Sequence, residues 1–244
     1  MEIYGGRAGY NSVSFKGSKY QSLARFKDGE IITITRRKNG RKKPFIFFSK
    51  IPFVRAFSLL FELIIEYWKV FLFYVIASFL LEFSLTGKSN TNFLDSIPVN
   101  TLMMLFCFFI IAGLFIKITP IGKYHSAEHM AANAYDRDSN LTLEKVKEQP
   151  RTHKNCGTNL VASIFICFCI FFVAFGDAFW LFLVSWGIGY EIWRGEPKII
   201  WSAILVIGKA AQYLLFTSKP DEKHLLVAIE AIRKLEEKEL ASGN

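Results

Sequence analysis

The chain has 244 residues, 52% of them hydrophobic and 16% aromatic, and a net charge of +9. Apolar content this high excludes intrinsic disorder over most of the length, and four Cys exclude a disulfide scaffold. Several apolar runs approach bilayer length, which argues against a purely water-soluble globule.

Residues 1–55 are polar and basic. No apolar core of the kind a secretory signal needs appears between Met1 and Pro44, so none is expected. Lys27-Asp28-Gly29-Glu30 is a turn signal before the β-branched run Ile31 to Thr35, and Asn39-Gly40 is a second turn signal. A small β-rich element, with a hairpin on the cytosolic face, is predicted over 1–50. Gly5-Gly6 alone is a weak sign of a phosphate loop. The cluster from Arg36-Arg37-Lys38 to Arg41-Lys42-Lys43 could bind nucleic acid, but it precedes a membrane segment. Anionic lipid headgroups explain it more simply, so lipids are the expected partner and nucleic acid is disfavoured.

The first long apolar stretch begins near Ala56, and its membrane part is placed at about Tyr67 to Leu85. Ser96 to Ile116 and Asn155 to Gly176 carry no charge and are long enough to span about 30 Å of hydrocarbon. Ala178 to Trp193 follows a tight Gly176-Asp177 turn and carries Glu191 near its end. The fifth run, Ile199 to Thr217, has Lys209 at its middle, with Gly208 and Gln212 nearby. A mid-bilayer charge costs about 2.5–3.5 kcal/mol, so this run is expected to be interfacial or re-entrant. Asp221 to Leu240 reads as an amphipathic helix with Leu225, Ile229, Ile232 and Leu235 on one stripe.

Residues 1–55 hold 13 Lys/Arg against three acids, the 86–100 loop holds one lysine, and the 120–159 loop holds six Lys/Arg. The positive-inside rule then places both termini in the cytoplasm of a multi-pass cell-membrane protein with four spans. The expected class is mainly α: a polytopic helical membrane protein with a small β-rich element before it and an amphipathic helix after it. The segments run 1–55 (basic, β-rich), 56–119 (first helix pair), 120–159 (cytosolic loop), 160–197 (second hairpin) and 198–244 (interfacial and C-terminal helices).

Three of the four His, His125, His129 and His153, fall in the 120–159 loop, as does Cys156, at the very start of the Asn155–Gly176 run. Cys107, Cys167 and Cys169 read as small apolar fillers. Residues 125–129 form H-x-x-E-H. Pro120 favours a helix start, and helical spacing puts His125 and His129 on one face, one turn apart. Two such imidazoles can hold a divalent metal, with Glu128 beside them as general base: the inverted zincin pattern. Asp136 falls on the same face. His153-x-x-Cys156 offers two more ligands where the chain enters the membrane, and Glu191 is a reserve ligand approaching the same level. Four protein ligands would make a closed, structural zinc site; three would leave an open, catalytic position.

These stretches carry a resemblance. Tyr124-His125-Ser126-Ala127-Glu128-His129, Ala134-Tyr135-Asp136 and His153-Lys154-Asn155-Cys156-Gly157-Thr158 are similar to motifs of the YqhQ family, a bacterial membrane family of unknown function held to be metal-dependent enzymes. Tyr4-Gly5-Gly6 with Ala8, then Gly189-Tyr190-Glu191, Gln212, Thr217 and Pro220-Asp221, extend the resemblance along the chain. Asn11 stands where the family pattern has an acid, and Leu226 departs similarly. The resemblance implies a metal-dependent membrane enzyme. A hydrolase-like protein with a divalent cation, zinc by preference, is therefore expected. A non-enzymatic scaffold with a structural His/Cys cluster is the alternative. Substrate, reaction and homo-oligomerisation stay open.

Overall fold

The computed structural model describes residues 3–38, 47–66, 68, 69, 72, 73, 76, 80 and 101–242. The Asn39-Gly40 turn, the Arg41–Lys43 cluster, most of the first expected span (67–85) and the start of the second lie outside the described residues. The chain forms two compact units: residues 1–40, 107–163 and 196–244 in one, 41–106 and 164–195 in the other.

In the first unit four strands form an antiparallel meander: β1 (Gly5–Gly9), β2 (Ser12–Lys16), β3 (Tyr20–Lys27) and β4 (Glu30–Arg37). The expected turn closes β3 on β4, with Lys27 opposite Glu30 and positive φ at both Asp28 (52°) and Gly29 (87°), as a two-residue hairpin turn requires. The sheet is larger than the predicted hairpin. Its first two strands are rich in Gly and Ser rather than β-branched residues, so sequence pattern concealed them. Asn11, where the family pattern has an acid, sits in the β1–β2 turn at φ 55°, a conformation Asn tolerates better than most residues.

One sheet face carries Val13, Phe15 and Ala24, all fully buried. They share a core with α3 (Pro120–Arg137) and α8 (Glu222–Ala241). The stripe predicted for the last helix is that core face: Leu225, Ile229, Ile232 and Leu235 are each at most 2% exposed. Burial of each such side chain is worth about 1.5–3 kcal/mol. The short α4 (Leu143–Lys147) adds Val146.

Helix α2 (Thr101–Ile118) meets α3 at a sharp elbow of 84°. Pro120 opens α3, and Gly122 lies so close to the backbone of Ile116 and Lys117 that a Cβ would come within 2.8 Å. Helix α7 (Lys198–Ala211) continues into a π-helical turn, Gln212–Phe216, in which the Thr217 N–H reaches back five residues to the Gln212 carbonyl at 2.9 Å.

In the second unit α1 (Val54–Glu66) lies on α6 (Phe179–Gly195). Phe53 packs against Gly187, and Trp186 Nε1 donates to the Ala56 carbonyl at 2.9 Å. Helix α5 (Gly157–Phe175) starts in the first unit and continues here, where Gly189 approaches the Ile164 backbone too closely for any Cβ. Gly176, at φ 77°, makes the expected turn from α5 to α6.

Among the described residues two helices, Gly157–Phe175 and Lys198–Phe216, are 19 residues each and apolar enough to cross a membrane; α2 with α3 is a third candidate only as a bent pair. The protein is thus mainly helical and membrane-associated. The fifth run, expected at the interface, is unbroken: Gly208 does not interrupt it but packs on Asn159. At 17 residues, α6 is shorter than the other two.

Candidate metal centre

The H-x-x-E-H segment lies on α3, which fixes its geometry. His125 and His129 are one turn apart with ring centroids 4.3 Å from each other. Each is oriented by a main-chain carbonyl at its Nδ1: Phe216 O at 3.2 Å for His125, Arg151 O at 2.8 Å for His129. A carbonyl only accepts, so both Nδ1 atoms carry the proton and both Nε2 atoms keep a free lone pair. Burial holds both imidazoles below the usual range, so they are neutral. That is the tautomer and charge state a metal ligand needs.

Cys156, just before α5, brings its Sγ to 3.5 Å from His125 Nε2. Burial pushes its thiol up to about 11, against an opposing hydrogen bond to Thr158 Oγ1 at 3.4 Å. One ligand atom each from His125, His129 and Cys156 lies within 4.8 Å of the others. Ligands 2.0–2.3 Å from a tetrahedral zinc are about 3.3–3.8 Å apart, so the set needs only a small contraction to hold one.

Glu128 is 6% exposed, with Oε2 3.5 Å from His129 Nε2. Burial raises its carboxyl to about 8. Its side chain lies against Gly6 of β1, where a Cβ would come to 2.0 Å from Oε1. Gly6 is therefore required for close approach and not for a phosphate loop.

His153 stands behind His129, stacked at 6.0 Å between centroids. Its Nδ1 accepts from the Asn155 N–H at 3.2 Å, so its proton sits on Nε2, facing Asp136 Oδ2 at 3.5 Å without a formed hydrogen bond. Glu191 lies in the second unit, where Arg55 grips both carboxylate oxygens and the Phe53 N–H donates at 2.8 Å. Of the five ligands read from sequence, the structure groups His125, His129 and Cys156, with Glu128 beside them; His153 and Glu191 have other partners.

The supporting layer had no sequence motif. Gln212 and Asn159 are fully buried. Gln212 accepts the His153 N–H at 2.8 Å and donates to Asn159 Oδ1 at 3.0 Å, while Asn159 donates to the Lys154 carbonyl at 2.7 Å. Together they hold the segment carrying Cys156. Asn133 donates to the Pro150 and Thr152 carbonyls, both at 3.0 Å, fixing the turn that presents Arg151 O to His129. The signal available in the sequence was a Gln inside an apolar run, at a position that also carries the family resemblance. The cluster lines a cavity of about 390 Å³, closed also by Ile3, Arg7, Ile116, Ile121 and Phe216.

A buried His/Cys/Glu cluster beneath a small sheet, at the ends of apolar helices, defines a helical membrane-associated protein with a metal-type donor set. The family described as "Protein of unknown function (DUF1385)" matches residues 49–238, and the chain belongs to it. It is similar to "Uncharacterized protein YqhQ" of Bacillus subtilis (strain 168), with 27% identity over 137 residues. That alignment covers 50% of this chain and 43% of the relative, so the chain spans less than half the length of the curated relative it matches. No solved structure matches.

Proposed function

We propose that His125, His129 and Cys156 hold a divalent cation and that the protein is a metal-dependent hydrolase. The carrying observation is the convergence of the three ligand atoms within 4.8 Å with both Nδ1 atoms occupied by carbonyls. Two imidazoles and a thiolate favour zinc over magnesium or calcium. The cation supplies a Lewis acid at the cavity wall. With the neighbouring cation favouring its ionised form, Glu128 would take a proton from an attacking water and return it to the leaving group. Glu191 is outside this set because Arg55 holds it.

The excess of 13 Lys/Arg over three acids in residues 1–55 supports cytoplasmic termini, a cell-membrane location and contact of that segment with anionic lipid. A second reading has one specific support. Glu128 Oε2 lies 3.5 Å from His129 Nε2, the spacing of neighbouring ligands, so Glu128 as fourth ligand would close the site and make it structural. That would fit a non-enzymatic scaffold.

The test is metal analysis of the purified full chain. One zinc per chain, lost in His125→Ala with His129→Ala, supports the centre; a folded, metal-free wild type refutes it. Glu128→Gln separates the readings: zinc affinity within a few-fold of wild type supports the base, and loss of zinc supports the fourth ligand.

A further inference from the structure

The cavity joins two kinds of wall. His125, Glu128, His129 and Cys156 form one; Ile3, Ile116, Ile121 and Phe216 form the other. Its position follows from the chain. Ile116 is two residues from the end of α2, Cys156 directly precedes α5, and Phe216 is the last residue of the Lys198–Phe216 helix. Three apolar helices thus have an end at the cavity. The α2 and α7 surfaces leading to it expose Ile111 (67%), Phe115 (62%), Ile118 (80%) and Leu214 (59%), which bare water would penalise. By this placement the cavity lies where hydrocarbon meets headgroups. Arg7 of β1 and Asp136 of α3 also line it, so its charged side chains are of both signs.

We infer that the substrate is an ester-linked membrane lipid, whose ester group enters this cavity while its acyl chains stay among the apolar helix ends. The inference rests on the metal-centre reading for its chemistry but not for its geometry. A volume of about 390 Å³ falls in the range of small-molecule pockets, so the cavity admits an ester group and the atoms beside it rather than a whole lipid. A peptide helix, about 10–12 Å across, does not fit. In the reaction water oxygen bonds to the ester carbonyl carbon, the ester C–O bond breaks, and the proton taken by Glu128 passes to the leaving alkoxide. The products are a carboxylic acid and an alcohol, and no further reactant is needed.

The test uses the full chain in vesicles of phosphatidylcholine and phosphatidylglycerol, doped with either phospholipid bearing a diazirine near the top of one acyl chain. After photolysis, adducts are mapped by mass spectrometry and zinc is measured on the same sample. Adducts at Ile116, Ile121 or Phe216 are expected with both probes. They should vanish in Ile121→Trp, which fills the cavity while zinc is retained. Adducts confined to exposed positions such as Ile111, Phe115 and Leu214 overturn the inference. So do cavity adducts that Ile121→Trp leaves unchanged, or cavity adducts absent while a transmembrane peptide shields Cys156 from alkylation. Zinc without cavity adducts removes the lipid and leaves the metal centre; cavity adducts without zinc do the reverse.

Discussion

Gln212→Met retains the volume of a fully buried side chain and deletes its polar group. Three bonds go: the His153 N–H donating to Oε1 at 2.8 Å, and the carboxamide donating to Asn159 Oδ1 at 3.0 Å and to the His153 carbonyl at 3.3 Å. The His153 carbonyl keeps the Asn159 donor at 3.3 Å, so it is not orphaned. The His153 N–H and Asn159 Oδ1 are, and each buried orphan costs about 1–3 kcal/mol. Destabilisation of roughly 2–5 kcal/mol is expected, concentrated on the segment that carries Cys156. Loss of a residue that orients a ligand typically weakens metal binding about 10–100-fold. The assay is zinc affinity by chelator competition, with Cys156 alkylation rate as a second readout. The variant should bind zinc at least tenfold more weakly and expose a faster-reacting thiol. Zinc affinity within twofold of wild type, with an unchanged alkylation rate, would refute the claim that Gln212 positions the site.

Gly6→Ala should cost about 1–3 kcal/mol, because its Cβ would meet Glu128 at 2.0 Å, while Gly5→Ala, with nothing within 4 Å, should be neutral. Thermal unfolding of the two variants side by side checks this, and equal effects would contradict it. Arg55→Leu and Glu191→Gln should each destabilise by about 1–3 kcal/mol, with the double variant losing less than the sum, read as a denaturation cycle. Glu239 is pushed up by burial, but hydrogen bonds from the Ser18 hydroxyl and the Tyr20 and Lys19 amides outweigh this and hold its carboxyl below the ordinary range. A depressed folded value contributes stability above the unfolded pKa of about 4.3 that is lost as pH falls through the folded one. The stability gap between wild type and Glu239→Gln should therefore be full at pH 6 and close toward pH 3; a constant gap would count against the clamp.

What the sequence disclosed depended on whether the information was periodic. The α8 stripe and the one-turn spacing of His125 and His129 are helical repeats, so both were readable, as was the glycine turn before α6. The first two strands were not, because Gly5–Gly9 and Ser12–Lys16 derive their burial from partners rather than composition. At the site, the side-chain donors were legible and their selection was not. Main-chain carbonyls of Phe216 and Arg151 decide which imidazole nitrogen is free, and such acceptors leave no trace in residue identity. The amide of Asn155 occupies His153, and Arg55 occupies Glu191, partners that spacing alone does not disclose.

The five-residue reach from Thr217 to Gln212 means that the end of α7 contains one residue more than an α-turn of the same kind would. Each residue swings an α-helix by about 100°, so the surplus changes which way everything beyond it faces. Through it a single helix terminus serves two neighbours, offering a carboxamide to the Cys156 segment and a carbonyl to His125. Deleting any one residue there would leave hydropathy almost untouched, yet would rotate these two groups out of phase with each other.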